Sequence, residues 1–174
     1  MKILVLTIIV SMLSTAAFAQ ANATSEQQLN NGFLGDQNFR LTSQDAPSDA
    51  SYAARAASAL AKKDYAGALA ILRPYKRSHD LAYYFLAGQA YQGLGDTAAA
   101  RKAFTEALRR RKTFLAASYA LGMLEAELGD PAAAIAILND LSTRKAKCGE
   151  SCQEASLLST AIAEIEAALR ARSK

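Results

Sequence analysis

A spacing of 34 residues recurs in the middle of this chain and limits what it can fold into. The recurring residues are Gly88 and Gly122, Gly95-Asp96 and Gly129-Asp130, and Ala100 and Ala134. A period of this length is typical of helix-turn-helix units, which cannot bury an apolar face alone and stack on copies of themselves. The spacing therefore predicts an all-α solenoid.

The composition agrees with thin, tightly packed helices. Apolar residues make up 51% of the 174-residue chain, yet only 7% are aromatic and none is Trp. Much of the apolar content is alanine, which has the highest helix propensity. We therefore expect helices that approach each other closely around small side chains.

Residues 1–19 have the pattern of a secretory signal peptide. Lys2 gives a positive start, Ile3–Leu13 is apolar but short for a membrane span, and Ala17-Phe18-Ala19 is a small-x-small cleavage site. Cleavage is predicted before Gln20, and the alternative is an uncleaved anchor. Cleavage would remove Lys2 with the rest of residues 1–19 and would lower the formal net charge of the chain from +4 by one. We expect a periplasmic or secreted protein with no transmembrane segment after cleavage.

Residues 20–48 are rich in Gln, Asn, Ser, Thr and Asp, and no periodic pattern holds there. This composition predicts a disordered leader. Phe33, Leu34 and Phe39 leave open the alternative that the leader docks on the solenoid.

Helical periodicity begins near Asp49 and continues as three pairs of segments. Asp64, Asp96 and Asp130 are predicted N-caps, and Gly95 is predicted to take the positive φ that ends a helix. Pro74 is expected to end or kink its helix. The predicted segments of the second and third pairs are Leu81–Leu94, Thr97–Arg111, Leu115–Leu128 and Pro131 to about Thr143.

Residues 81–114 resemble a tetratricopeptide repeat. The matching positions are Tyr84, Gly88, Tyr91, Ala100, Phe104 and Ala107. The next repeat departs from the pattern, because Ser118 and Glu125 stand where a bulky residue is usual. The pair before it, at 49–80, matches only with a shorter spacing. The resemblance covers residues 49–143 and implies a short right-handed solenoid of about three repeats.

The resemblance also implies roles for particular residues. At Gly88, Ala100, Gly122 and Ala134 the helices of a repeat would cross closely, so a larger side chain would wedge them apart. A partner segment would lie along the first helices of the repeats. The residues expected to line this groove are Phe85, Gln89, Gln92, Tyr119, Met123 and Glu127. The alternative is that Phe85 and Tyr119 cover each other between neighbouring helices.

The C-terminal part is predicted to close the solenoid. Residues 144–151 are interpreted as a linker and residues 152–171 as a capping helix, with Ser151 and Glu154 as a capping box. The alternative for this helix is dimerisation.

Cys148 and Cys152 are the only cysteines. In an exported protein such a pair usually forms a disulfide. Thiol-redox chemistry or metal handling is the alternative. Two thiolates are only half of a tetrahedral metal site, and the spacing is not C-x-x-C.

Positive charge gathers where the second helix of each pair ends. The residues are Arg73, Lys76 and Arg77, then Arg109 to Lys112, then Arg144, Lys145 and Lys147. Cations complement the negative end of a helix dipole, which is one explanation. The other is a basic ridge that contacts an anionic envelope component.

No catalytic, cofactor or metal site is indicated. His79 is the sole histidine and stands in a polar connector, and no nucleophile motif accompanies it. Nucleic acid binding is not favoured, because aromatic residues are few beside the basic runs. The sequence predicts a non-catalytic protein-interaction module or assembly scaffold in a bacterial periplasm.

Overall fold

The computed structural model describes residues 50–76, 80–149, 152 and 154–173. These residues form α-helices and one short 3-10 turn, without a strand among them, so the all-α prediction is confirmed. The predicted signal peptide and leader, together with Asp49, Arg77 and His79, lie outside the described residues. The helices are α1 Ala50–Ala61, α2 Tyr65–Leu72, α3 Leu81–Gly93, α4 Thr97–Arg110, α5 Leu115–Glu127, α6 Pro131–Cys148 and α7 Ala155–Arg172.

The helices stack in chain order as antiparallel pairs. Each helix packs against the next, and α1, α3 and α5 also contact the first helix of the following pair. This is the arrangement of a helix-turn-helix solenoid, in which each unit covers the apolar face of its neighbour. Arg73–Tyr75 forms the 3-10 turn after α2, so the helix ends just before Pro74 as the sequence predicts.

Aspartates start four of the helices. The side chains of Asp64, Asp96 and Asp130 accept hydrogen bonds from Gly67 N at 2.8 Å, Ala99 N at 3.0 Å and Ala132 N at 2.9 Å. Each bond satisfies a backbone donor that the first helical turn leaves unpaired. Asp80, which the sequence analysis did not single out as a cap, caps α3 in the same way through Ala82 N at 3.1 Å.

Small residues hold the helices close together. Gly88 of α3 lies directly against the ring of Phe104 in α4, and a Cβ at Gly88 would collide with that ring. Ala100 and Ala134 are fully buried. Gly122 faces a different neighbour, because a Cβ there would lie 2.5 Å from the Ile165 Cδ1 atom of α7 and 3.3 Å from Ile137 of α6.

α6 is longer than the sequence indicates. The predicted linker 144–151 is helical up to Cys148, the last residue of α6, and the C-cap residue Gly149 has a φ of 67°. Arg, Lys and Ala are strong helix formers, and cations stabilise the last turn of a helix. The run therefore continues until a glycine allows the left-handed turn.

α7 starts at Ala155 rather than Cys152, and the predicted capping box is not observed as such. Ser151 lies outside the described residues. Glu154 occupies the N-cap position without a side-chain hydrogen bond to the helix, and its carboxylate pairs instead with Arg144 at 3.5 Å.

α7 takes the place that the first helix of a further repeat would occupy. Leu158, Ala161 and Ile165 are buried, and α7 packs on both α5 and α6. At its far end, the Nη1 atom of Arg172 donates to the carbonyl oxygen of Gly129 at 2.8 Å. α7 therefore runs parallel to α5 and covers the end of the array.

In the described part of the chain, no helix combines the length and the apolar character that a bilayer span requires.

Candidate interaction surfaces

Phe85 does not line an open groove. Its side chain is 3% exposed, and its ring centroid lies 5.0 Å from that of Phe114 and 6.1 Å from that of Phe104. The expectation that Phe85 contacts a partner is corrected, because this ring is part of the core. It fills the space between α3, α4 and the start of α5.

Tyr119 lies beside the last helix. It is half-buried, and its hydroxyl donates a hydrogen bond to the carboxylate of Glu164 in α7. This hydrogen bond joins α5 to α7. The rest of the Tyr119 side chain is partly exposed.

The other predicted groove residues keep some exposure. Gln89, Gln92 and Met123 are half-buried, and Glu127 is exposed. We call these four residues the first-helix face. It offers two amides, a carboxylate and one thioether, so it is more polar than a surface centred on Phe85 and Tyr119.

Glu125 is a buried carboxylate whose role the sequence does not reveal. It is 3% exposed, although the equivalent position usually holds a bulky residue. Arg101 of α4 donates to it through Nε and, at 3.0 Å, through Nη2. The Asp130 N–H group donates to the same carboxylate at 2.9 Å. One side chain thus joins α4, α5 and the turn into α6.

The electrostatics of this pair follow from its hydrogen bonds. The Arg101 guanidinium holds the pKa of the Glu125 carboxyl below its ordinary value, and the Asp130 N–H group acts in the same direction, while burial opposes both. A charge-assisted bidentate pair of this kind is stronger than a neutral hydrogen bond. The sequence signal was the acidic residue at a usually bulky position, but Arg101 is 24 positions away and gave no hint of the pairing.

Cys148 and Cys152 lie within disulfide distance. Their Cα atoms are 5.6 Å apart, which falls in the usual range for a disulfide. Cys148 is the last residue of α6 and Cys152 precedes α7, so the bond would fix the turn between the two helices. Within the described residues, no group of three or more His, Cys, Asp or Glu side chains is placed to share a metal ion.

An open groove of about 540 Å³ lies between the end of α6 and the start of α7. Its lining combines hydroxyl groups, one ammonium and small apolar groups. The lining residues are Ser142, Lys145, Ala146, Gly149, Ala155, Ser156, Ser159 and Ile162. Among the described residues that line it, none carries a carboxylate or an imidazole.

Exposed cations gather at the ends of α2, α4 and α6. We call this set the basic edge, and its members are Arg73, Lys76, Arg111, Lys112, Lys145 and Lys147. Other arginines at these helix ends have contacts within the chain, and Arg109 pairs with Glu106. Arg110 stacks over the Tyr84 ring at 5.3 Å, and Arg144 Nη2 donates to the carbonyl oxygen of Thr113 at 2.9 Å.

Comparison with known proteins gives one result. Residues 91–158 match the family model described as tetratricopeptide repeat. The matched range contains all of α4, α5 and α6 and extends into the first turn of α7. No curated protein and no solved structure is significantly similar to the chain.

Proposed function

Because residues 91–158 match the tetratricopeptide-repeat family model, we propose that this protein is a non-catalytic protein-interaction module or assembly scaffold of the bacterial periplasm. In this proposal a partner segment lies along the first-helix face of α3 and α5. The observation that carries the proposal is the family match together with the stacked helix pairs. Repeat arrays of this kind use extended surfaces rather than reactive side chains.

The chemistry of the first-helix face indicates which kind of partner segment would bind to it. Gln92 offers amide donors and acceptors, and Met123 offers a flexible apolar contact. An amphipathic helix or extended segment with one apolar anchor and a polar flank matches this pair.

Site-specific photo-crosslinking tests the surface. A photoreactive amino acid is placed at Gln92 or Met123, and the matched controls carry it at Lys102 or Ala136, which are exposed on second helices. We expect a discrete crosslinked product with an envelope extract only from the first-helix positions. Equal products from all four positions, or none from Gln92 and Met123, would contradict the assignment.

The periplasmic location rests on residues 1–19 and needs its own test. We expect the N terminus of the mature protein to be Gln20 when the full chain is expressed in a Gram-negative host and the periplasmic fraction is analysed by N-terminal sequencing. A protein that keeps Met1 and stays with the cytoplasm would refute this part of the proposal.

The cysteine pair fits the scaffold rather than a redox or metal function. Its position between α6 and α7 suits a fixed turn, and four ligands for a tetrahedral metal are not brought together in the described residues. Thiol titration of the native protein is expected to find no free thiol. Two rapidly titrating thiols would favour the redox alternative.

A further inference from the structure

One long edge of the solenoid collects the ends of the second helices. Since α2, α4 and α6 run in the same direction, their C-terminal ends lie on the same side as the N-terminal ends of α3, α5 and α7. Direct contacts show that these ends are neighbours. Arg110 of α4 stacks on Tyr84 of α3, and Arg144 of α6 bonds to Thr113, before α5, and to Glu154, before α7.

Charge is distributed unequally between this edge and the rest of the molecule. Among the described residues, the carboxylates on the edge are already engaged: Asp80 accepts from the Tyr52 hydroxyl, Glu106 pairs with Arg109, and Glu154 pairs with Arg144. Elsewhere in the described residues, carboxylates slightly outnumber cations. The positive excess of the described chain therefore lies on the basic edge.

The cations left to solvent are mostly lysines. Arg110 and Arg144 are held by aromatic and carbonyl contacts, whereas Lys112, Lys145 and Lys147 are exposed and take part in none of the ion pairs between described residues. Arginine suits the fixed bidentate geometry of an acidic peptide, while lysine is a compact charge on a flexible stem. The edge thus favours a fluid anionic surface, where charge density and reach matter more than geometry.

The described part of the edge also lacks the exposed, large apolar side chains that would mark a buried protein interface. The large hydrophobic side chains that are exposed in the described residues are Leu94, Leu128 and Ile135. Leu94 and Leu128 follow the C-terminal ends of α3 and α5, and Ile135 is near the start of α6, so all three are close to the opposite edge. Contact through the basic edge would be electrostatic and superficial.

We propose that the basic edge docks this protein on the surface of an anionic lipid bilayer. This inference does not depend on the proposed protein partner, since the first-helix face lies on other helices and remains accessible. Clusters of lysine and arginine are attracted to anionic headgroups over about one Debye length, so the attachment is reversible and weakens with salt.

Co-sedimentation of the signal-less chain with vesicles tests the inference. Vesicles of phosphatidylcholine with about one third phosphatidylglycerol are expected to bind the protein at low ionic strength, and pure phosphatidylcholine vesicles are not. The variant Lys112→Gln/Lys145→Gln/Lys147→Gln is expected to bind at least about tenfold more weakly, because each cation near such a surface contributes separately. Raising the salt to about 0.5 M should release the wild type.

The matched control is Lys62→Gln/Lys63→Gln/Lys102→Gln, which removes the same charge away from the basic edge. It should retain most of the binding, and circular dichroism should show both variants folded. Three results would overturn the inference: no binding of the wild type to anionic vesicles, an equal loss in both variants, or preferential binding to soluble polyglutamate. The last result would assign the edge to an acidic protein.

Discussion

Two glycines at the same position of the repeat serve different purposes. Gly95 has a φ of 77° and open space around it, so it is needed for its backbone conformation. Gly129, one period later, has no positive φ. A Cβ there would lie on the Glu125 carboxylate and 2.7 Å from Arg101 Nη2, so this glycine is needed for the space that the ion pair occupies.

A lysine holds the left-handed conformation in the first turn of the array. Lys63 has a φ of 59°, which costs an L side chain about 1 kcal/mol. We expect Lys63→Gly to raise the free energy of unfolding by about 0.5–1 kcal/mol in urea titrations. The neighbouring Lys62→Gly, where φ is not positive, should not stabilise. A Lys63→Gly variant that is less stable than the wild type would contradict this account.

Glu125 should make the stability depend on acid pH. Since its folded pKa is lowered, its contribution is complete above the unfolded carboxyl pKa of about 4.3 and is lost as the pH falls through the lower folded value. We expect Glu125→Gln to cost about 2 kcal/mol at pH 7, because Arg101 and the Asp130 N–H group lose a charged partner.

The measurement is urea unfolding of both proteins at neutral pH and near pH 3, where the difference between them should shrink. Glu166→Gln serves as the control, since Glu166 pairs with Arg170 on the exposed side of α7 and should change stability by less than about 0.5 kcal/mol. If the free energies of unfolding of the wild type and of Glu125→Gln differ by the same amount at both pH values, the carboxylate does not act through its charge.

At the scale of the element, the sequence predicted the helices and turns better than it predicted which side chains of different helices contact each other. The Gly-Asp turns, the Asp caps and the end of α2 before Pro74 follow from local chemistry that a single sequence displays. The length of α6 was underestimated, because a run of Arg and Lys resembles a linker although it is compatible with a helix. The burial of Phe85 was missed because it depends on Phe104 and Phe114, which reach it from other helices.

The junction of α6 and α7 gives a prediction at this scale. Closing the short loop between Cys148 and Cys152 should contribute about 2 kcal/mol. We expect the Cys148→Ser/Cys152→Ser variant to unfold at a lower temperature in calorimetry, while keeping its helical circular dichroism because Leu158 and Ile165 still anchor α7. Added reductant should lower the stability of the wild type but not of the variant. A wild type that does not respond to reductant would indicate that the bond is absent.

At the scale of the whole molecule, α7 closes the array within one chain. Leu158, Ala161 and Ile165 are buried against α5 and α6 of the same chain, so they are not available to a second copy. This favours capping over dimerisation for α7. We expect the chain without residues 1–19 to be a monomer.

Removing α7 tests that expectation. A chain ended at Gly149 uncovers the faces of α5 and α6 that Leu158 and Ile165 fill, and each buried side chain contributes about 2 kcal/mol. We expect light scattering to show a monomeric mature chain and an associating or unstable truncated one. The opposite result, a dimer that becomes a stable monomer on truncation, would identify α7 as the dimerisation helix.

The parallel course of α5 and α7 has a consequence for engineering. Because α7 stands where another repeat would begin, the array offers a template onto which a helix can be grafted after Arg172. One side chain opposes this: Ile162 is the eighth residue of α7, as Gly122 is the eighth residue of α5, so α7 carries a large side chain where α5 has a glycine. Lengthening the molecule by a repeat would begin with Ile162→Gly.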